Sequence, residues 1–323
     1  MAQFFLKRLL ALPLLIFGTS TLIFFIIRLL PGDPVLLFLS PSFPPALADQ
    51  LRHAFGLDKP LIVQYLLWIK EVFTGSLGYS FTFQRDVVSV IGDALPSTIA
   101  LACCTLVVEV AAGIALALAS VRFHHSTADR VLSVAGLVTY TMPTFWIAFI
   151  FVQLFSVRFT VFPSSHMHSV SADELSTAGY VFDYAWHMIL PVATLAVPGA
   201  AGMARFLRSS IITASQQKYV TVARSMGVDE NRILYSYILP NALSSMVTLG
   251  GLSLGSLLTG ALLTETIFAL PGMGRLIVTA IFSRDYPLVV GCVIAASCLY
   301  ISVNFCTDII HYLIDPRIKR THE

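Results

Sequence analysis

Six runs of roughly twenty or more apolar residues recur along this 323-residue chain, at 9–27, 98–119, 131–157, 186–206, 242–268 and 288–312. At 1.5 Å per residue, about twenty residues of helix cross the hydrocarbon of a bilayer. No water reaches a backbone there, so its N–H and C=O groups must satisfy one another, and each run is predicted to be a membrane-spanning helix. Composition agrees: 56% of the residues are hydrophobic and 12% charged, against about 25% charged in soluble domains, and mean hydropathy is +0.81. A soluble domain of this size could not clothe itself with so little charge. The first run follows Lys7 and Arg8 and competes with a secretory signal. It is longer than the apolar part of such a signal and no small-residue cleavage pattern follows, so it is expected to remain as the first span.

Where the few charges lie orients the chain. One set of connecting segments carries twelve Lys and Arg: Lys7, Arg8, Arg122, Arg130, Arg205, Arg208, Lys218, Arg224, Arg232, Arg317, Lys319 and Arg320. The opposite set carries seven: Arg52, Lys59, Lys70, Arg85, Arg158, Arg275 and Arg284, four of them in one long loop, with Arg28 left aside as interfacial. The positive-inside rule puts the richer set, with both termini, in the cytoplasm. Residues 31–96 then form an extracytoplasmic segment, too polar to span. Within it 61–73 reads as an amphipathic helix, with Trp68 and Phe73 as anchors for a membrane surface or a partner. The five cysteines, Cys103, Cys104, Cys292, Cys298 and Cys306, all sit in apolar runs without disulfide or zinc spacing and read as packing residues. No basic stripe with interleaved aromatics marks nucleic-acid binding.

The polar interruption at 219–240 carries the most chemistry. Tyr219, Val222, Ala223 and Met226 recur at i, i+3, i+4, i+7, one face of a helix that needs an apolar cover. Gly227 should end that helix in the left-handed conformation. Asp229 is a natural N-cap for the next, with Glu230 in its first turn and Ile233, Leu234, Tyr237 and Ile238 as a second apolar stripe before Pro240. Two short helices meeting at a bend are predicted, placed to be held by a partner.

Tyr219, Val220, Ala223, Arg224 and Gly227, followed by Leu239-Pro240, resemble the EAA loop of permease subunits of binding-protein-dependent ABC importers, in the dipeptide, oligopeptide and nickel branch. At the eponymous Glu-Ala-Ala this chain has Thr221, Val222 and Ala223. Further matches are Arg28-Leu-Leu-Pro-Gly-Asp-Pro, Gly56-Leu57-Asp58-Lys59-Pro60, Gly75-Ser76-Leu77-Gly78, Glu265, Pro271-Gly272-Met273-Gly274-Arg275, Arg284-Asp285-Tyr286-Pro287 and Asp315-Pro316-Arg317-Ile318, so the likeness covers nearly the whole chain. The resemblance implies an all-α integral membrane protein of the type I importer permease kind, with six transmembrane helices and an extracytoplasmic segment after the first. Its parts would be 1–96, the first helix with that segment, and 97–323, a five-helix core with a coupling loop at about 208–240. It implies a bacterial inner-membrane location, a homologous second permease, two ATPase subunits inside and a solute-binding protein outside. ATP and Mg would be bound by the ATPase subunits, none in this chain. The coupling residues would be Tyr219, Val220, Val222, Ala223, Arg224, Met226 and Gly227, and the cargo short peptides, with nickel or a metallophore complex as the alternative.

Ionisable groups inside spans are costly, which makes Glu265 and Glu109 candidates for the translocation pathway, weighed against local pairing or packing. His166-Met167-His168 offers soft and borderline metal ligands, but three donors in a loop are weak grounds for a site, and no metal is assigned. No Walker A, triad or metal-hydrolase pattern occurs, so hydrolysis of ATP is expected of another chain. A stand-alone channel or secondary transporter would instead show inverted repeats or paired midplane ions.

Overall fold

The computed structural model describes residues 2–29, 53, 58–123 and 126–314. Of the expected extracytoplasmic segment 31–96, residues 31–52 and 54–57 lie outside the described residues, as does the ending at 315–318. In chain order the elements are α1 (Ala2–Leu29), α2 (Leu61–Phe73), β1 (Tyr79–Ser80) paired antiparallel with β2 (Arg85–Asp86), and α3 (Val87–Arg122). Next come α4 (Thr127–Thr141) and α5 (Thr144–Phe151), the latter running into a π-helical stretch at Val152–Arg158. α6 (Thr177–Ser215), α7 (Lys218–Ser225) and α8 (Glu230–Arg232) follow, and a second π-helical stretch, Ile233–Ile238, leads into α9 (Leu239–Gly260). The chain closes with α10 (Leu262–Ile267), α11 (Met273–Phe282) and α12 (Tyr286–Ile314).

Among the described residues, Val87–Arg122, Thr177–Ser215 and Tyr286–His311 are each long and apolar enough to cross a membrane unbroken, and Pro13–Ile26 is a shorter apolar stretch. Two of the expected spans depart from single rods. The run at 131–157 is two helices meeting at 105°. Pro143 has no N–H to give and crowds the residue before it, so Met142 is extended (φ −70°, ψ 136°) and α4 ends there. The run at 242–268 stops at Ala261, and α10 restarts as a separate short helix. Pro191 and Pro198, by contrast, are carried inside an unbroken α6.

The chain divides into two compact units. One holds Ala2–Thr98 and Pro271–Leu299. Its core joins Val87, Ile91, Met273, Leu276, Leu288 and Cys292. Buried Asp285 ties it together: its carboxylate accepts from Ser80 Oγ (2.6 Å) and Thr82 N (3.0 Å), and it caps α12 by accepting from Leu288 N (3.3 Å). Thr98 Oγ1 accepts from Met273 N at the start of α11 (2.8 Å). Trp68 is not a free anchor. Its ring lies tilted 5.1 Å from that of Phe24 of α1 and packs on Val290 and Ile294, while Tyr65 OH is bonded to Thr21 Oγ1 (2.7 Å). Phe73 at the end of α2 stays exposed.

The other unit holds Ile99–Leu270 and the chain from Tyr300 on. One core cluster packs Ala117, Met203, Leu207, Ile211, Ile233, Ile238 and Met246, and a second packs Leu101, Ala148, Met188, Leu190, Phe268 and Leu270. Asp129 fastens α4 to two helices, accepting from Arg208 Nη2 of α6 (2.8 Å) and from Ser120 Oγ of α3 (2.6 Å).

Candidate functional site

The bend at Gly227 is built by backbone bonds first. Gly227 N donates to Arg224 O (3.0 Å) and Val228 N to Ala223 O (3.2 Å), the paired bonds of a Schellman cap. Gly227 sits at φ +78°, where a residue with a Cβ is strained by about 1–2 kcal/mol. Asp229 then opens the next helix, its carboxylate accepting from Asn231 N (3.0 Å) and Arg232 N (3.4 Å). Arg224 straddles the corner: its Nε and Nη2 donate to the two carboxylate oxygens of Glu230 at 2.7 and 3.2 Å. That bond holds the Glu230 carboxyl below its ordinary range and pushes Arg224 up. Both groups are exposed, so the pair orients the corner more than it stabilises it.

The wide π turn Ile233–Ile238 lies just ahead of Pro240, whose ring cannot donate into the ladder. Asn241 Nδ2 donates to Tyr237 O (2.7 Å) and covers a carbonyl there. Ile233 and Ile238 point into the same cluster as Leu207 and Ile211 of α6, so the hairpin is seated on the ends of the two long helices it joins.

Two faces of α7 diverge. Val220 and Ala223 are buried in that cluster. Tyr219, Val222 and Met226 are 36%, 55% and 77% exposed. Ala223 is thus a correction to the four-residue outward stripe expected from the sequence. Its position is at the edge of that stripe, and its single methyl lets α7 seat closely. The exposed ridge of three is what a partner could cover, each such side chain contributing roughly 1.5–3 kcal/mol when fully buried.

Both carboxyls expected to line a pathway are buried inside the chain. Glu265, 1% exposed, lies in α10, and its backbone carbonyl accepts from Leu270 N (2.9 Å). Glu109, 4% exposed, accepts from Ser253 Oγ of α9 (2.8 Å), and its carboxyl fills the space where a Cβ on Gly199 of α6 would stand. Neither Ser253 nor Gly199 was singled out by the sequence, since no local signal links positions so far apart.

His166 and His168 go to different tasks. His166 (φ +68°) donates its backbone N–H to Phe268 O (2.8 Å), and His168 stacks on Tyr180 at 4.2 Å with its Nδ1 3.5 Å from Asp183. Among the described residues no three His, Cys, Asp or Glu side chains group as metal ligands would.

A mostly helical membrane fold, with an amphipathic bend seated on the ends of the two helices it joins, is that of a type I importer permease. Residues 109–320 match the family described as "Binding-protein-dependent transport system inner membrane component", and residues 1–102 its companion, "Binding-prot-dependent transport system membrane comp, N-term". The chain belongs to this family. It is 32% identical over 321 residues to the oligopeptide transport system permease protein AppB of Bacillus subtilis (strain 168), covering 99% of this chain and all of that one. It is 33% identical over 326 residues to a putative peptide transport system permease protein of Brucella abortus (strain 2308), covering 99% of each. It is 30% identical over 319 residues to a probable peptide ABC transporter permease protein of Sinorhizobium fredii, covering 99% of this chain and all of that one. A crystal structure of an amino acid ABC transporter with histidines shares the fold at a TM-score of 0.50 and 16% identity, over 71% of this chain and 94% of that one.

Proposed function

We propose that this chain is one permease half of an ATP-driven importer of short peptides, pairing with a homologous second permease around a shared pathway. In this reading both termini and the hairpin face the bacterial cytoplasm, two ATPase subunits dock there, and a solute-binding protein delivers cargo on the other side. ATP and Mg belong to the ATPase subunits, and this chain is a transport subunit, not an enzyme. The peptide cargo is supported by the names of the relatives, and the cytoplasmic hairpin by the excess of Lys and Arg on that side.

The observation that carries the reading is the exposed ridge of Tyr219, Val222 and Met226 on a helix whose other face is fixed in the core. A ridge standing on a rigid seat can transmit force. When the ATPase pair closes on ATP, a helix gripped along the ridge moves as a body and re-aims α6 and α9. The coupling free energy is the difference in how the ridge fits the two ATPase states.

A photocrosslinking residue in place of Met226, in cells expressing the whole importer, tests this. Capture of a Walker-motif ATPase subunit is expected, with Met226→Cys labelled from the cytoplasmic side. Labelling from outside, or no ATPase captured, overturns the assignment.

A further inference from the structure

Glu109 has no part in the hairpin, yet it lies where the hairpin's two arms meet a third helix. Gly199 lies 16 residues before the end of α6 at Ser215, about 24 Å of helix, and Ser253 lies 14 residues after the start of α9 at Leu239, about 21 Å. The second path bends by 45° between Ser244 and Met246, and the carboxyl on α3 touches both arms well away from the hairpin. It accepts from Ser253 Oγ on one side and lies against the α6 backbone at Gly199 on the other.

The α3–α6 contact is keyed. One turn further on, the roles exchange: Gly113 of α3 faces Met203 of α6, and a Cβ at 113 would come within 2.8 Å of the Met203 Cβ. Glu109 enters the notch at Gly199 while Met203 enters the notch at Gly113, both four residues on, so the two helices run parallel and cannot slide without unseating two side chains. On its other side, α9 is close to α12, where Gly251 and Gly255 admit Thr307 and Tyr300.

A leucine would fill the space beside Ser253 without the cost of a carboxyl inside a span. What a leucine cannot do is bind the Ser253 hydroxyl and fix the register of α9 against α3. Setting register is the best-attested use of a buried polar group. We propose that Glu109 is the tie that makes α6 and α9 one lever, so that a push on the hairpin moves both arms together instead of being lost in sliding between them. Glu109 is a positioning residue in this role, and the inference rests on the coupling reading above.

The test uses the complete importer in lipid nanodiscs, its native cysteines replaced, with spin labels at Val181 and Thr259, exposed positions near the far ends of α6 and α9. With the tie intact, the Val181–Thr259 distance stays narrow and changes by less than about 2 Å, the scale of an interfacial helix shift, when ATP is trapped with vanadate. Glu109→Ala broadens it already without nucleotide and makes it ATP-dependent. Glu109→Gln, which keeps the length and the acceptor for Ser253, restores it. Gly199→Ala, which drives the carboxyl from its notch, repeats the Ala result with the carboxyl still present. In vesicles, the ATP hydrolysed per trialanine imported rises several-fold in Glu109→Ala and not in Glu109→Gln. Arms that move independently in the unmutated chain, an alanine variant that keeps the narrow distance, or a glutamine variant that behaves like alanine would each overturn the tie. Absence of trialanine uptake by the unmutated importer sinks the peptide reading instead, and the nucleotide-free distance still decides the tie.

Discussion

The bend at Gly227 and the joint at Glu109 are both small polar devices in an apolar chain, and they are built in opposite ways. Within the bend every determinant lies close in sequence: the cap bonds, the Asp229 N-cap and the Arg224–Glu230 bridge span Ala223 to Arg232. The joint draws on positions 109, 199 and 253 from three helices. One presents apolar side chains outward, and the other hides a carboxyl. A grip must be exposed and locally stiff, because its partner arrives from outside, whereas a tie must be buried, because water would compete for its hydrogen bond.

The comparison breaks most visibly at Gly227. Nothing lies within 4 Å of a Cβ placed there, so a large side chain meets no obstacle in this chain and acts through backbone strain and through the partner. Gly227→Trp is expected to leave the protein inserted and to cut trialanine uptake by more than about tenfold, the equivalent of 1.4 kcal/mol, while ATP hydrolysis persists. Gly227→Asn, which tolerates the left-handed conformation, should retain most uptake. Normal uptake by the Trp variant would show that the bend is not gripped.

Next in size is the ridge itself. Val222→Asp with Met226→Asp replaces two apolar contacts with carboxylates and should weaken co-purification of the ATPase subunits severely, without lowering the melting temperature of the permease. Val220→Asp differs in kind, because it buries a charge in the core and should impair folding. If the outward pair destabilised the chain as much as Val220→Asp, the two faces of α7 would not be distinct.

Asp129→Ala removes the charged partner of the part-buried Arg208 guanidinium, which keeps its bond to Ser133, and should cost about 1.5–3 kcal/mol, read as a lowered melting temperature in detergent. The bend's own ion pair gives the smallest effect. Because the Glu230 carboxyl titrates lower folded than unfolded, its contribution is present above the ordinary glutamate range near pH 4.3 and fades as pH falls through the lower, folded value. Arg224→Ala should therefore change stability slightly at pH 7 and not at all at low pH, checked by thermal melts at the two values.

How much could be read in advance follows the same division. The Gly227 cap and the Asp229 N-cap were legible, since each depends on neighbours a few residues away, whereas Ile233 and Ile238 were legible only as an apolar stripe that needs a cover, and the fold supplies that cover from its own core. Ala223 was misplaced because a helical wheel cannot tell which edge of a broad stripe faces the core. The 105° break at Pro143 could not be read from the apolar run, because a proline inside a span is either absorbed, as at Pro191 and Pro198, or turns the chain, and packing chooses. Glu109 was visible as a costly residue, but its partners were not.

By itself the sequence determined the class: hydrophobic run length sets membrane spans, and the capped polar interruption sets the bend, both through backbone hydrogen bonding over short distances. Only the tertiary structure decided which side of α7 is free, where Trp68 packs, and that one carboxyl meets both arms of the hairpin. Those facts depend on helices that lie from about 40 to more than 200 residues apart being brought within van der Waals contact, and the energy of such contacts has no trace in local periodicity.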